Sequence, residues 1–88
     1  MISLRGPINS PQAGVLAGMA PGDTLRVAVD NAGVAPVLVV ETHGGIRAGS
    51  LTMANYLQVI ACIGRGHDYE ATIMMINGGI YDVRVNRI

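Results

Sequence analysis

Metal binding and acid–base catalysis need Asp, Glu, His or Cys side chains brought to one point, and this chain offers few. His67-Asp68 stands with Glu70, and His43 lies elsewhere. On a strand, Asp68 and Glu70 share one face, a geometry that can hold a hard cation between two carboxylates. No zinc-type spacing accompanies them, and two carboxylates on an exposed strand are ordinarily just solvated. His43 and His67 both adjoin glycines in predicted turns, outside any apolar cleft that would tune a general base. Ser50 and Cys62 have no histidine close in sequence. The expectation is a protein without metal, cofactor or catalytic residues.

Phosphate chemistry is the next class to test. Gly64-Arg65-Gly66 and Asn77-Gly78-Gly79 each precede a strand, so neither has the strand-turn-helix context of a phosphate-binding loop. Every basic residue is an arginine, and the six of them balance six acidic residues. Arg5, Arg26, Arg47, Arg65, Arg84 and Arg87 line a groove for single-stranded nucleic acid only if several converge, with Tyr69 or Tyr81 available to stack on bases. Neutral overall charge argues against strong nonspecific binding, because phosphate contacts dominate that term.

These side chains hang on elements that the periodicity predicts. Met1 to Arg5 reads as a first strand ended by Gly6-Pro7. Asn9-Ser10-Pro11 reads as the start of a short helix over Val15, Leu16 and Met19, with Pro11 in the first helical position. Pro21-Gly22-Asp23 is a turn. Thr24 to Asp30 alternates as a strand that buries Leu25, Val27 and Val29 and turns Arg26 outward. The continuous run Val37 to Val40 suits a central strand, and His43-Gly44-Gly45 reverses the chain into Ile46 to Ser50.

The longest helix should follow, capped by Ser50 or Thr52, stapled by Leu51 on Tyr56, and ended at Gly64. Met53, Tyr56, Leu57, Ile60, Ala61 and Ile63 form its apolar stripe, and Val59 and Cys62 add apolar surface beside it. Asp68 to Ile76 then alternates as a strand with Tyr69, Ala71, Ile73 and Met75 on one face. Asn77-Gly78-Gly79 turns it into Ile80 to Val85, a C-terminal hairpin.

A chain of 88 residues is one domain, spanning residues 1–88, and buries roughly two thirds or less of its unfolded surface. Half of its residues are hydrophobic, Phe and Trp are absent, and Tyr56, Tyr69 and Tyr81 are the aromatics, so the core must be built from Val, Ile, Leu, Met and Ala. Cys62 is alone, which removes a disulfide framework and fits a reducing compartment. Met1 to Arg5 is too short for a signal peptide and no apolar run approaches the ~20 residues of a membrane span, so the expected location is the cytoplasm. The predicted fold class is mainly β with two short helices, its six strands curled into a small barrel or a strongly curved sheet.

Three pieces of the chain resemble the HIRAN family, a small barrel found beside helicase and nuclease modules and as a free-standing bacterial protein. They are Ala20 to Leu25, Gly44 to Leu51 and Gly66 to Ile73. The resemblance implies binding of single-stranded DNA ends through positions corresponding to Arg5, Asn31 and Ser50, to which Arg26 and Arg47 add charge. Gly33-Val34-Ala35-Pro36 stands where the family's loop carries an aromatic and an aspartate, and Met53 stands in place of its lysine.

Two readings follow. One is a non-enzymatic domain that binds single-stranded DNA or DNA ends. The other is a protein-protein interaction module, such as a small inhibitor or an oligomeric accessory subunit, motivated by low charge and an over-apolar helix. The helix also predicts a homodimer, because Met53, Tyr56, Leu57, Val59, Ile60 and Ile63 wrap too far around it for one small sheet to cover.

Overall fold

The computed structural model describes residues 3–88. Strands β1 (Ser3–Pro7), β2 (Thr24–Asp30), β3 (Val37–Glu41), β4 (Arg47–Leu51), β5 (Tyr69–Asn77) and β6 (Ile80–Arg87) alternate with two helices, α1 (Ala13–Leu16) and α2 (Tyr56–Gly64). All neighbours are antiparallel, in the order β1-β6-β5-β2-β3-β4. The sheet curls into a half-barrel whose two edge strands are linked: beyond β1, Asn9 and Ser50 exchange backbone hydrogen bonds of 2.8 and 2.9 Å, and Gln12 N–H adds one to Ala48 C=O at 2.8 Å. The expected fold class is the observed one.

The core is the concave side of this curl. Leu25 and Val27 of β2, Leu38 and Val40 of β3, Ala48 and Leu51 of β4, Ala71 and Ile73 of β5, and Val83 and Val85 of β6 meet there with Leu4, Ile8 and Leu16. Their two-residue spacing along each strand is what puts them on one face. The Asn77-Ile80 turn has positive φ at both central residues, 57° at Gly78 and 87° at Gly79, the geometry of a two-residue hairpin loop that only glycine-like residues enter cheaply.

Several local expectations fail, each for a tertiary reason. β1 runs through Gly6 and Pro7, because an edge strand tolerates a proline at its end and Gly6 lies against Met53, whose Cβ stands 3.0 Å from where a Gly6 side chain would begin. Met1 and Ile2 lie outside the described residues. α1 begins at Ala13, two residues after Pro11, since the segment before it is held against β4 by the Asn9 and Gln12 backbone bonds and bends at Ser10, φ 50°. Neither Ser50 nor Thr52 caps α2. Ser50 and Leu51 are in the β4 ladder, Thr52 accepts a hydrogen bond from the Asn9 side chain, and the helix starts only after Asn55, which adopts φ 70°. In β5 a register shift between Ile73 and Met75 turns Met75 outward, half exposed, and packs Ile76 on the core instead.

α2 contacts β2 and β3 and is oriented differently from the predicted interface. Val59 is its fully buried residue, while Tyr56, Ile60, Cys62 and Ile63 pack partly buried around the core, as Met53 does just ahead of the helix. Val59 therefore belongs to the core and is withdrawn from any interface. On a helix apolar around most of its circumference, more than one stripe satisfies three- and four-residue spacing, and the pattern cannot select which stripe the sheet takes. Leu57, at 61% exposure, faces away. No helix among the described residues is long and apolar enough to cross a membrane.

Candidate functional site

The convex face of the sheet carries the charges, and the strand registers place them in rows. One row runs Asn86 (β6), Glu70 (β5), Arg26 (β2), Glu41 (β3), Arg47 (β4), each residue directly opposite the next. Directly opposed side chains are the closest neighbours in a sheet, so Arg26 sits between two carboxylates and Glu41 between two guanidiniums. Arg47 also donates to Asp30 at 2.9 Å. On the far side of the sheet Arg5 lies opposite Arg84 and 3.6 Å from the Asp82 carboxylate.

Of the five residues expected to contact nucleic acid, the fold brings Arg26 and Arg47 into one row with Glu41 between them, and Arg26 and Asn31 into one groove. Arg5 is three strands from Arg26 in the sheet order. Ser50 is partly buried, its backbone committed to Asn9. The arginines are thus spread among carboxylates rather than gathered.

The groove beside β2 was not anticipated from the sequence. β5 pairs with β2 through Thr24, Leu25 and Arg26, and there the pairing stops, because β5 begins at Tyr69 and the chain before it turns away into α2. Past Val27 β2 has β3 on one side and no strand on the other. Asp23 C=O accepts from Ile73 N–H, so by the alternation of an antiparallel ladder the odd-numbered residues of β2 aim their backbone groups toward the β5 side. Val29 accordingly turns its N–H and C=O into the gap, and among the described residues no hydrogen bond from a loop or turn reaches it.

The gap is a cavity of about 440 Å³ with β2 on one wall and Ile60, Ile63 and Gly64 of α2 on the other, with Asn31 and Pro36 also lining it. A second cavity, about 330 Å³, adjoins it through Arg26, Val27 and Asp68 and is lined also by His43, Tyr69 and Glu70. Asp68 thus precedes β5 and faces these openings, while Glu70 sits within the strand; both line the smaller cavity with Arg26. His43 is exposed, as expected, and hydrogen-bonds Thr24 at 3.0 Å; His67 is partly buried. Among the described residues no three His, Cys, Asp or Glu side chains converge as a metal set would.

Tyr69 is buried and forms a wall of the smaller cavity. Its hydroxyl is held protonated above its ordinary range, first by a hydrogen bond to the Cys62 thiol and then by burial and the thiol's own charge when ionised, with Arg87 pulling the other way. Compared with protein-family models, curated proteins and solved structures, the chain matches none of them.

Proposed function

We propose that this chain is a non-enzymatic binding domain whose ligand is an extended segment of a partner protein. The observation that carries this reading is the free edge of β2 past Arg26, facing apolar side chains of α2 across a groove of about 440 Å³. An unpaired strand edge offers backbone donors and acceptors in the spacing of another strand, and a peptide that adds there gains main-chain hydrogen bonds while its side chains bury against the opposite wall. Phosphate recognition has weaker support, because the row that contains Arg26 and Arg47 alternates charge sign along its length. Single-stranded DNA, the ligand implied by the HIRAN resemblance, is the second reading, favoured by Arg26 and Asn31 lining the same groove.

Fluorescence anisotropy separates the two. Labelled oligonucleotide and labelled β-forming peptide are each titrated with the domain at low and high salt. The expected result is a saturable peptide isotherm and a flat oligonucleotide response up to high micromolar protein. A steeply salt-dependent oligonucleotide isotherm with no peptide binding would replace the first reading by the second.

A further inference from the structure

The geometry points to a particular class of segment for the β2 groove: a short extended stretch with apolar residues at alternate positions and a basic residue at the end that lies beside Asp68. This inference rests on the peptide-binding reading of the same groove. An extended occupant follows from the backbone. Val29 aims its N–H and C=O into the gap, while past Asp30 the chain turns, with Ala32 N–H donating to the Asp30 carboxylate. The free edge from Val27 to Asp30 is about 10 Å long at a strand's rise, which fits about four residues.

The occupant is a free segment and not the sheet edge of a second copy. α2 walls the groove on its far side, so a strand carrying its own neighbouring strand would collide with Ile60 and Ile63, whereas a single chain has room.

Alternate side chains of an added strand point to opposite faces, so every second residue meets the apolar wall formed by Val29, Ile60 and Ile63. The charge preference comes from the mouth where the two cavities meet. Asp68 and Glu70 line the smaller cavity with Arg26, two carboxylates to one guanidinium, while Glu41, opposite Arg26 on its other side, is already matched by Arg47. At the other end are Asn31 and Pro36, which carry no charge. A cation is therefore attracted to one end, and its attraction should weaken with salt.

The test uses the whole chain, isotopically labelled for backbone amide spectra, and two fluorescent peptides of alternating valine and threonine, closed at both ends by arginine in one and glutamate in the other. The arginine peptide is expected to bind roughly fivefold tighter at low salt, the size of two partly exposed ion pairs. The preference should shrink below about twofold in the Asp68→Asn, Glu70→Gln double variant, whose exposed or half-exposed sites leave the fold intact. Amide shifts should centre on Val27 to Asn31 and on Ile60 to Gly64. Methylating every backbone nitrogen of the arginine peptide should weaken binding by about tenfold or more, because it removes the N–H groups that pair with β2. Equal affinity for both peptides, with shifts at Val29 and Ile63, would overturn the basic preference while leaving strand addition in place. Shifts confined to another surface would overturn the groove as the site but not protein binding. Absence of binding by any peptide would overturn both.

Discussion

Gly49→Ala is the substitution with the largest predicted effect for the smallest chemical change. A Cβ at Gly49 would stand 2.3 Å from Ile8 Cγ2, 2.9 Å from Asn9 O and 3.5 Å from Pro11 Cα. Non-bonded carbons settle at about 3.5–4.0 Å, so Ile8 must retreat by about 1 Å and the Asn9 carbonyl by a few tenths of an ångström. Ile8 is a buried core residue and Asn9 makes the two backbone bonds that join β1's end to β4, so neither can yield alone. Losing two backbone hydrogen bonds costs about 2 kcal/mol, and forcing a core side chain from its seat costs about 1–3 kcal/mol more, for a total of about 3–5 kcal/mol. That is a large share of the ~5–15 kcal/mol that stabilises a domain.

Urea unfolding measures it, with Gly64→Ala as the control. A Cβ at Gly64 meets nothing within 4 Å, and the expected change there is within about 1 kcal/mol, in the stabilising direction. Because Ile8 is the closest obstacle, Ile8→Ala should cost distinctly less in the Gly49→Ala background than its usual ~2–5 kcal/mol alone. A Gly49→Ala protein within ~0.5 kcal/mol of wild type would refute the close packing of the Ile8–Pro11 segment on β4.

Stability should fall as pH rises above the ordinary tyrosine value of 10.0. Tyr69 has a raised pKa in the folded chain, so between the unfolded and folded values the native state holds the extra proton; its contribution is complete below the unfolded pKa and is lost as pH passes the folded one. Thermal melts from pH 8 to 11 should show a smaller alkaline fall in Tyr69→Phe than in wild type, and parallel curves would show that Tyr69 is not the group responsible. Assembly is tested at α2, where we propose that exposed Leu57, with Met53 and Tyr56 beside it, meets a second copy, while Ile60 and Ile63 are withdrawn from that interface because they pack on the core and wall the β2 groove. Sedimentation equilibrium should give a dimer mass at micromolar concentration and a monomer for Leu57→Asp, whose exposed site predicts a stability change within ~0.5 kcal/mol. A wild-type monomer mass across that range would sink the homodimer.

Much of this fold is written in local pattern. Thr24–Asp30 shows its inward face in the alternation of Leu25, Val27 and Val29, although Val29 is only half-buried because it lines the groove, and Asn77-Gly78-Gly79 announces its turn because positive φ is cheap for few residues. Val37–Val40 signals a central strand by its unbroken apolar run, and Val83 and Val85 fall on the core face that their spacing requires. Periodicity reads out reliably here because it depends only on the geometry of one chain segment and on which of its sides must leave water.

What the tertiary structure decided lies between segments. The Asn9–Ser50 bridge that closes the curl joins residues far apart in the chain, and it sets where α1 begins and what Thr52 bonds. The shift after Ile73 exchanges Met75 for Ile76 in the core, a change of face that no two-residue repeat encodes. Val59 rather than Leu57 enters the core because the seat offered by β2 and β3 selects one of several equivalent stripes on α2. The candidate groove exists because β5 stops pairing with β2 at Arg26. A strand's sequence states which side chains are buried, but which neighbour it pairs with, and for how many residues, is fixed by the closure of the whole sheet.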